Sequence, residues 1–150
     1  MKNYIQRYTM TPKENRYHTF YMDVAKRAAE MSYAEKRKVG AVIVKEGNIL
    51  SYGWNGTPSG FDNCCEDTLN DGTTKTKATV IHSEMNAILK LAKGTESGKG
   101  SSLYCTLSPC MDCAKAIQGS GIKEVFYEQE YRDKSGIDFL NKCGISINKL

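Results

Sequence analysis

No stretch of this 150-residue chain comes near the roughly 18 consecutive apolar residues of a membrane span, and the N-terminus lacks the apolar core of a secretory leader. Nor is there a basic block of the kind that marks a nucleic-acid arm. The 21 basic and 17 acidic residues are scattered, and the net charge is only +4. Those absences argue against a membrane or a polynucleotide as partner and for a small substrate. Internal repeats and low-complexity tracts are missing too, so the expectation is a single domain over residues 1–150, long enough to bury a core. Histidine is scarce: the chain has two, and a single Cys-x-x-Cys pair. A structural zinc site closed by two paired knuckles is therefore short of its second pair.

What is there converges on two short runs, His82-Ser83-Glu84 and Pro109-Cys110-Met111-Asp112-Cys113. The imidazole of His82 with the sulfurs of Cys110 and Cys113 makes a three-ligand, tetrahedral set suited to Zn2+, with the fourth position left for water. Glu84, two residues from the histidine, lies near that water without being needed as a ligand. On its own a glutamate at a helix start is a common capping residue; beside a metal set it becomes the general acid–base. Of the six cysteines, two are thus assigned to the metal. Cys105 in an apolar run and Cys143 at a helix end read as buried, reduced thiols, and the adjacent Cys64 and Cys65 would make a strained bridge. The compartment expected is reducing and cytoplasmic.

The pattern of apolar residues predicts an α/β chain. Residues 1–16 read as an irregular, Tyr-rich lead-in. Phe20, Val24, Ala28 and Met31 recur at helical spacing, which predicts a helix over 19–31. Val39–Val44 and Ile49–Trp54, joined by Lys45-Glu46-Gly47-Asn48, predict an antiparallel hairpin. A long loop (56–79) follows, of the length that is usually functional. The second helix is expected from His82, burying Met85, Ile88, Leu89 and Ala92. A third strand is expected at Leu103–Thr106. The third helix should be capped by Ser108 with Pro109 at its first position, and should carry Cys110 and Cys113 in its first turn. A fourth strand follows at 125–127. A fourth helix opens on Ser135 with Asp138 as a capping box, and a last strand spans 145–148. Helices between strands 3, 4 and 5 imply parallel right-handed crossovers. The expected fold is therefore a three-layer, five-stranded mixed sheet, a hairpin plus three parallel strands, with helices on both faces.

The His-x-Glu…Pro-Cys-x-x-Cys pattern is the signature of zinc nucleobase deaminases, and the chain resembles that superfamily. Three further stretches resemble its deoxycytidylate (dCMP) deaminases, of the bacterial and viral type. They are Gly53-Trp54-Asn55-Gly56-Thr57-Pro58-Ser59-Gly60, Thr106–Ile117 and Tyr131-Arg132. The resemblance runs from about residue 17 to 147, and Ser83 stands where alanine is usual. It implies hydrolysis of dCMP to dUMP and ammonia, with one catalytic Zn2+ on His82, Cys110 and Cys113, and Glu84 moving the protons. It also implies dCTP as activator (accompanied by Mg2+), dTTP as inhibitor, a homohexamer, and a family fold matching the one above. Gly53, Trp54 and Gly56 would belong to the effector site. Some viral members carry a second metal; Cys64 and Cys65 with His18 are one ligand short of it, and reduced loop cysteines are the plainer reading.

Each match also has a physical reading. Arg132 offers a planar fork suited to a phosphate, at the carboxyl end of a parallel strand. Tyr131 can stack or hydrogen-bond, or simply pack. Asn55 can bond a sugar hydroxyl, although Asn-Gly is also good turn chemistry. Two thiolates cancel the charge of the metal, so water bound there is less acidic than among three neutral imidazoles and needs a nearby base. Glu84 answers that need. A tRNA adenosine deaminase shares the metal motifs but lacks the Gly53–Gly60 run and should be more basic. A non-enzymatic zinc module for nucleic acid would require neither Glu84 nor an open coordination position.

Overall fold

The computed structural model describes residues 9–150, so the first half (1–8) of the expected irregular lead-in lies outside the described residues. The remainder of that lead-in is not irregular. Thr11 caps helix α1 (Pro12–Ala29): its side chain accepts the Glu14 N–H, Glu14 bonds back to the Thr11 N–H, and Pro12 occupies the first turn. A capping box with proline just inside it is a strong start signal, and it begins the helix seven residues earlier than apolar spacing alone suggests.

Strands β1 (Gly40–Lys45), β2 (Asn48–Trp54), β5 (Ser102–Leu107), β6 (Glu124–Gln129) and β7 (Ser146–Lys149) form one sheet in the order β2-β1-β5-β6-β7. The β1–β2 and β1–β5 pairs are antiparallel, whereas β5–β6 and β6–β7 are parallel. The expected mixed five-stranded sheet is therefore present. A second, two-stranded hairpin of β3 (Glu66–Thr68) and β4 (Thr74–Thr76) lies within the segment expected to be loop. Its strands are three residues each and almost wholly polar, so they carry no periodic signal.

Alternation along the central strands sorts side chains into two cores. Val42, Val44, Tyr104 and Phe126 point to the layer of α1, against Tyr21, Met22 and Ala25. Ala41, Ile43, Leu103, Cys105, Val125 and Tyr127 point to the other face. There they meet Ala87 and Leu91 of α2 (Ser83–Ala92), Ala114 and Ile117 of α3 (Met111–Gly119), and Leu140 of α4 (Ser135–Lys142). Burial on both faces is why these strands read as continuous apolar runs.

The helix faces differ from the expectation. Phe20 and Met31 are exposed on the α1 side, and Leu89 is exposed on α2. The small residues Ala25 and Ala87, both fully buried, face the sheet instead and admit close helix–sheet contact. Cys105 is buried as expected, but Cys143 is exposed, since the end of α4 lies at the surface. All six cysteines are free. No helix among the described residues is long and apolar enough to cross a membrane.

Candidate active site

The site lies at the carboxyl ends of β5 and β6, where open parallel sheets place ligands. His82 is the N-cap of α2, with extended backbone at φ −66°, ψ 156°. Because it stands just outside the helix, it escapes the helical geometry that would turn it about 200° from Glu84. Cys110 is likewise the N-cap of α3, and Cys113 lies in the first turn. Neither cap makes a side-chain capping bond, so both side chains are free to turn to the same point.

The expected Ser108 cap is thus displaced by two residues, and Ser108 serves elsewhere. Its hydroxyl accepts the Tyr131 N–H at 2.7 Å, tying the β6–α4 connection to the end of β5. At α4 the expected capping box is absent. Lys134 is the N-cap, and the Asp133 carboxylate accepts the Ser135 N–H at 2.9 Å.

Nδ1 of His82 lies 3.5 Å from the sulfur of Cys110 and 3.5 Å from that of Cys113. The three ligand atoms fall within 4.8 Å of one another, and they are the only such cluster among the described residues. Zn–N near 2.05 Å and Zn–S near 2.3 Å at a tetrahedral angle would separate N from S by about 3.5 Å. The donor set therefore fits zinc in type and spacing. Hydrogen bonds from Cys113 and His82 hold the Cys110 thiol down at about 4, whereas Cys113, bonded to Cys110 and buried, is pushed up. His82 is raised, chiefly by its bond to Cys110. Three donors sharing protons in this way form a site that a cation completes by releasing them. The N-termini of α2 and α3 add their positive ends to it.

Glu84 is 4 % exposed, and burial pushes its carboxyl up. The Ser83 hydroxyl donates to its Oε2 at 3.0 Å. Ser83, fully buried, is thus more than a substitute for alanine. Two glycines allow the helix starts to reach this point. A Cβ on Gly53 would lie 2.4 Å from the Ser83 carbonyl oxygen, and one on Gly136 would lie 2.2 Å from that of Pro109. The first lets β2 press on α2, and the second lets α4 press on the strand-to-helix turn that carries Cys110.

A cavity of about 610 Å³ opens over these groups, lined by His82, Glu84, Cys110, Asn55, Tyr131 and Arg132 among others. Every residue expected in the substrate site and the metal set therefore borders one space, except Cys113, which is buried behind it. Trp54 stacks on Tyr52 with ring centroids 6.1 Å apart, and the Lys90 ammonium lies 4.1 Å from the Tyr52 centroid. Gly56 bridges to Ile81. His18 faces the other layer, 2.8 Å from the Tyr104 hydroxyl and 4.3 Å from the Phe126 ring centroid, and so joins no cluster with Cys64 and Cys65.

Sequence reasoning did not find Lys36, Arg37 or Glu66, and considered Cys65 only for a second metal; all four line the cavity. The short run Lys36-Arg37-Lys38 was visible, but only the fold brings Lys36 and Arg37 to the site. Asn55 is more constrained than a free ligand contact: its Oδ1 accepts the Val39 N–H and its Nδ2 donates to the Arg37 carbonyl, each at 2.8 Å.

Residues 15–129 match the family model described as the cytidine and deoxycytidylate deaminase zinc-binding region. The deoxycytidylate deaminase of Saccharomyces cerevisiae is 36% identical over 137 residues, covering 87% of this chain and 44% of the relative. This chain thus spans less than half of that protein's length. The deoxycytidylate deaminase of Enterobacteria phage T4 is 37% identical over 149 residues, covering 73% of this chain and 77% of its own. Among solved structures, the dCMP deaminase of cyanophage S-TIM5 in complex with dCMP and dUMP superposes with a TM-score of 0.84 at 47% identity, over 95% of this chain and 100% of that one.

Proposed function

The chain belongs to the cytidine and deoxycytidylate deaminase family, and from that premise we propose that it is a single deaminase domain that hydrolyses dCMP to dUMP and ammonia. One observation carries this reading. A buried carboxylate, an arginine and two donors of the three-donor metal set, His82 and Cys110, border the same cavity, whose volume is within the range of about 300–1,000 Å³ usual for small-molecule sites.

His82, Cys110 and Cys113 would hold Zn2+, which would supply Lewis-acid activation of water. Glu84 takes the proton from the water that attacks C4 of the base. It delivers that proton to N3 and then carries the next to the departing amine, which leaves as ammonia. Burial supports this role: a carboxyl pushed up from its usual range holds a proton between steps, and the Ser83 hydroxyl orients it. Arg132 takes the 5′-phosphate through its planar fork, Tyr131 packs beside the nucleotide, and Asn55 shapes the sugar end.

The same reading includes activation by dCTP with Mg2+, inhibition by dTTP, a homohexamer and a cytoplasmic enzyme. The likeness of Gly53, Trp54 and Gly56 to the effector run of the family supports the regulatory part. Arg132→Ala tests the substrate. It should cost about 2–4 kcal/mol in kcat/KM for dCMP, the value of a charge-assisted contact plus an unpaired phosphate, and should spare deoxycytidine. Equal losses on both substrates would refute the phosphate contact.

A further inference from the structure

Glu66 lies outside every motif named above. It opens β3, the first strand of the small hairpin, and lines the cavity. Its Oε1 accepts two backbone N–H groups, from Glu35 at 3.1 Å and Lys36 at 3.2 Å. Those residues belong to the connection between α1 and β1, about 30 positions earlier in the chain. Asn55 grips the other end of the same connection, at Arg37 and Val39. The Ser32 hydroxyl secures its base by donating to the Asn55 carbonyl oxygen at 2.7 Å while accepting the Ala34 N–H. An exposed connection carrying Lys36, Arg37 and Lys38 is thereby held by side chains from two other elements. Of those three cations, Lys36 and Arg37 border the cavity, as does Arg132.

We propose that Glu66 is a positioning residue for the phosphate end of the pocket. By holding the Glu35 and Lys36 amides it fixes the segment that brings Lys36 and Arg37 to stand with Arg132 around the phosphate of the substrate. The assignment rests on the dCMP reading and deepens it. Lys36, Arg37 and Arg132 border one cavity, where like charges disfavour each other's approach in the absence of an anionic ligand, and an untethered connection is free to relax away from Arg132. A dianionic phosphate repays their approach, but each side chain ordered only at the moment of binding weakens that binding. Fixing the backbone beforehand removes part of the loss. Glu66 does this through its acceptor oxygen rather than its charge. Its charge acts in the opposite sense, because a carboxylate at this wall opposes a phosphate. The two effects can therefore be separated by substitution.

The test uses the zinc-loaded protein and two variants. Glu66→Ala removes both acceptor and charge, whereas Glu66→Gln keeps the acceptor and removes only the charge. With Glu66→Ala, KM for dCMP should rise about tenfold with kcat within about twofold, and activity on deoxycytidine should be unchanged. Glu66→Gln should restore KM to the wild-type value or below. Hydrogen exchange at the Glu35 and Lys36 amides, measured without nucleotide, should quicken in Glu66→Ala and not in Glu66→Gln. An unchanged or lowered KM in Glu66→Ala would overturn the assignment, because charge would then be all that Glu66 contributes. So would equal damage to dCMP and deoxycytidine turnover, or equal exchange rates in the two variants. Failure of the wild type to deaminate dCMP would instead overturn the substrate reading itself. Wild-type activity with an indifferent Glu66→Ala sinks this assignment alone.

Discussion

Helix α1 and the pair α2 and α3 begin in opposite ways. At α1 the chain satisfies its own orphan N–H groups: Thr11 and Glu14 bond reciprocally and Pro12 occupies the first turn. At α2 and α3 the cap positions hold His82 and Cys110, and neither side chain caps. Their rings and sulfurs turn away from the helix toward each other, and Cys113 follows one turn in. A helix start that caps itself serves the fold. Two starts that give up their caps to one shared point serve chemistry.

The largest effect expected from breaking this contrast comes at the shared point. Cys113→Ser should lose most of the one zinc expected per chain, read by metal analysis, and with it nearly all ammonia release. A thiolate is replaced by a hydroxyl that stays protonated. Full zinc retention in that variant would remove Cys113 from the ligand set.

A smaller effect is expected where the fold supports the ligands. In Gly136→Ala the new methyl group meets the Pro109 carbonyl oxygen at 2.2 Å and other backbone atoms at 2.9 Å. The turn carrying Cys110 must shift, at a cost of about 1–3 kcal/mol in stability read by denaturant unfolding, together with faster zinc loss to a chelator. Wild-type zinc retention would mean that the close approach of α4 does not position Cys110.

The smallest effect belongs to the self-capped helix. Thr11→Ala should lower stability by about 1 kcal/mol and leave kcat/KM unchanged. A drop in activity without a drop in stability would break the contrast between the two kinds of start.

How much of this was legible beforehand follows from the range of each signal. The metal set and Glu84 are separated by fixed, short spacings within two runs, each of which announces a helix start, the second directly after a strand. The parallel half of the sheet was legible because helices intervene between apolar runs, and its topology follows from handedness rules. The faces of α1 and α2 were not. Apolar spacing favoured Phe20, Met31 and Leu89, but close packing selected the small residues Ala25 and Ala87, which a hydrophobicity pattern underweights. The Thr11-Pro12-x-Glu14 start is a capping-box pattern present in the sequence, but it lies within a polar, Tyr-rich stretch without apolar periodicity. The roles of Asn55 and Glu66 were not, because their partners lie 16 to 31 positions away in polar connections. No local pattern encodes a clamp of that span.

The central claim is that Glu84, buried beside the metal set, carries the protons of a hydrolytic deamination. Its most direct test is ammonia release from dCMP by Glu84→Gln with zinc measured in the same sample. The account predicts full zinc content and a loss of at least 10²–10⁴-fold, roughly the contribution of a general acid–base group. Zinc-loaded Glu84→Gln working within about threefold of the wild type, well under that contribution, would contradict it and leave Glu84 as part of the helix start alone.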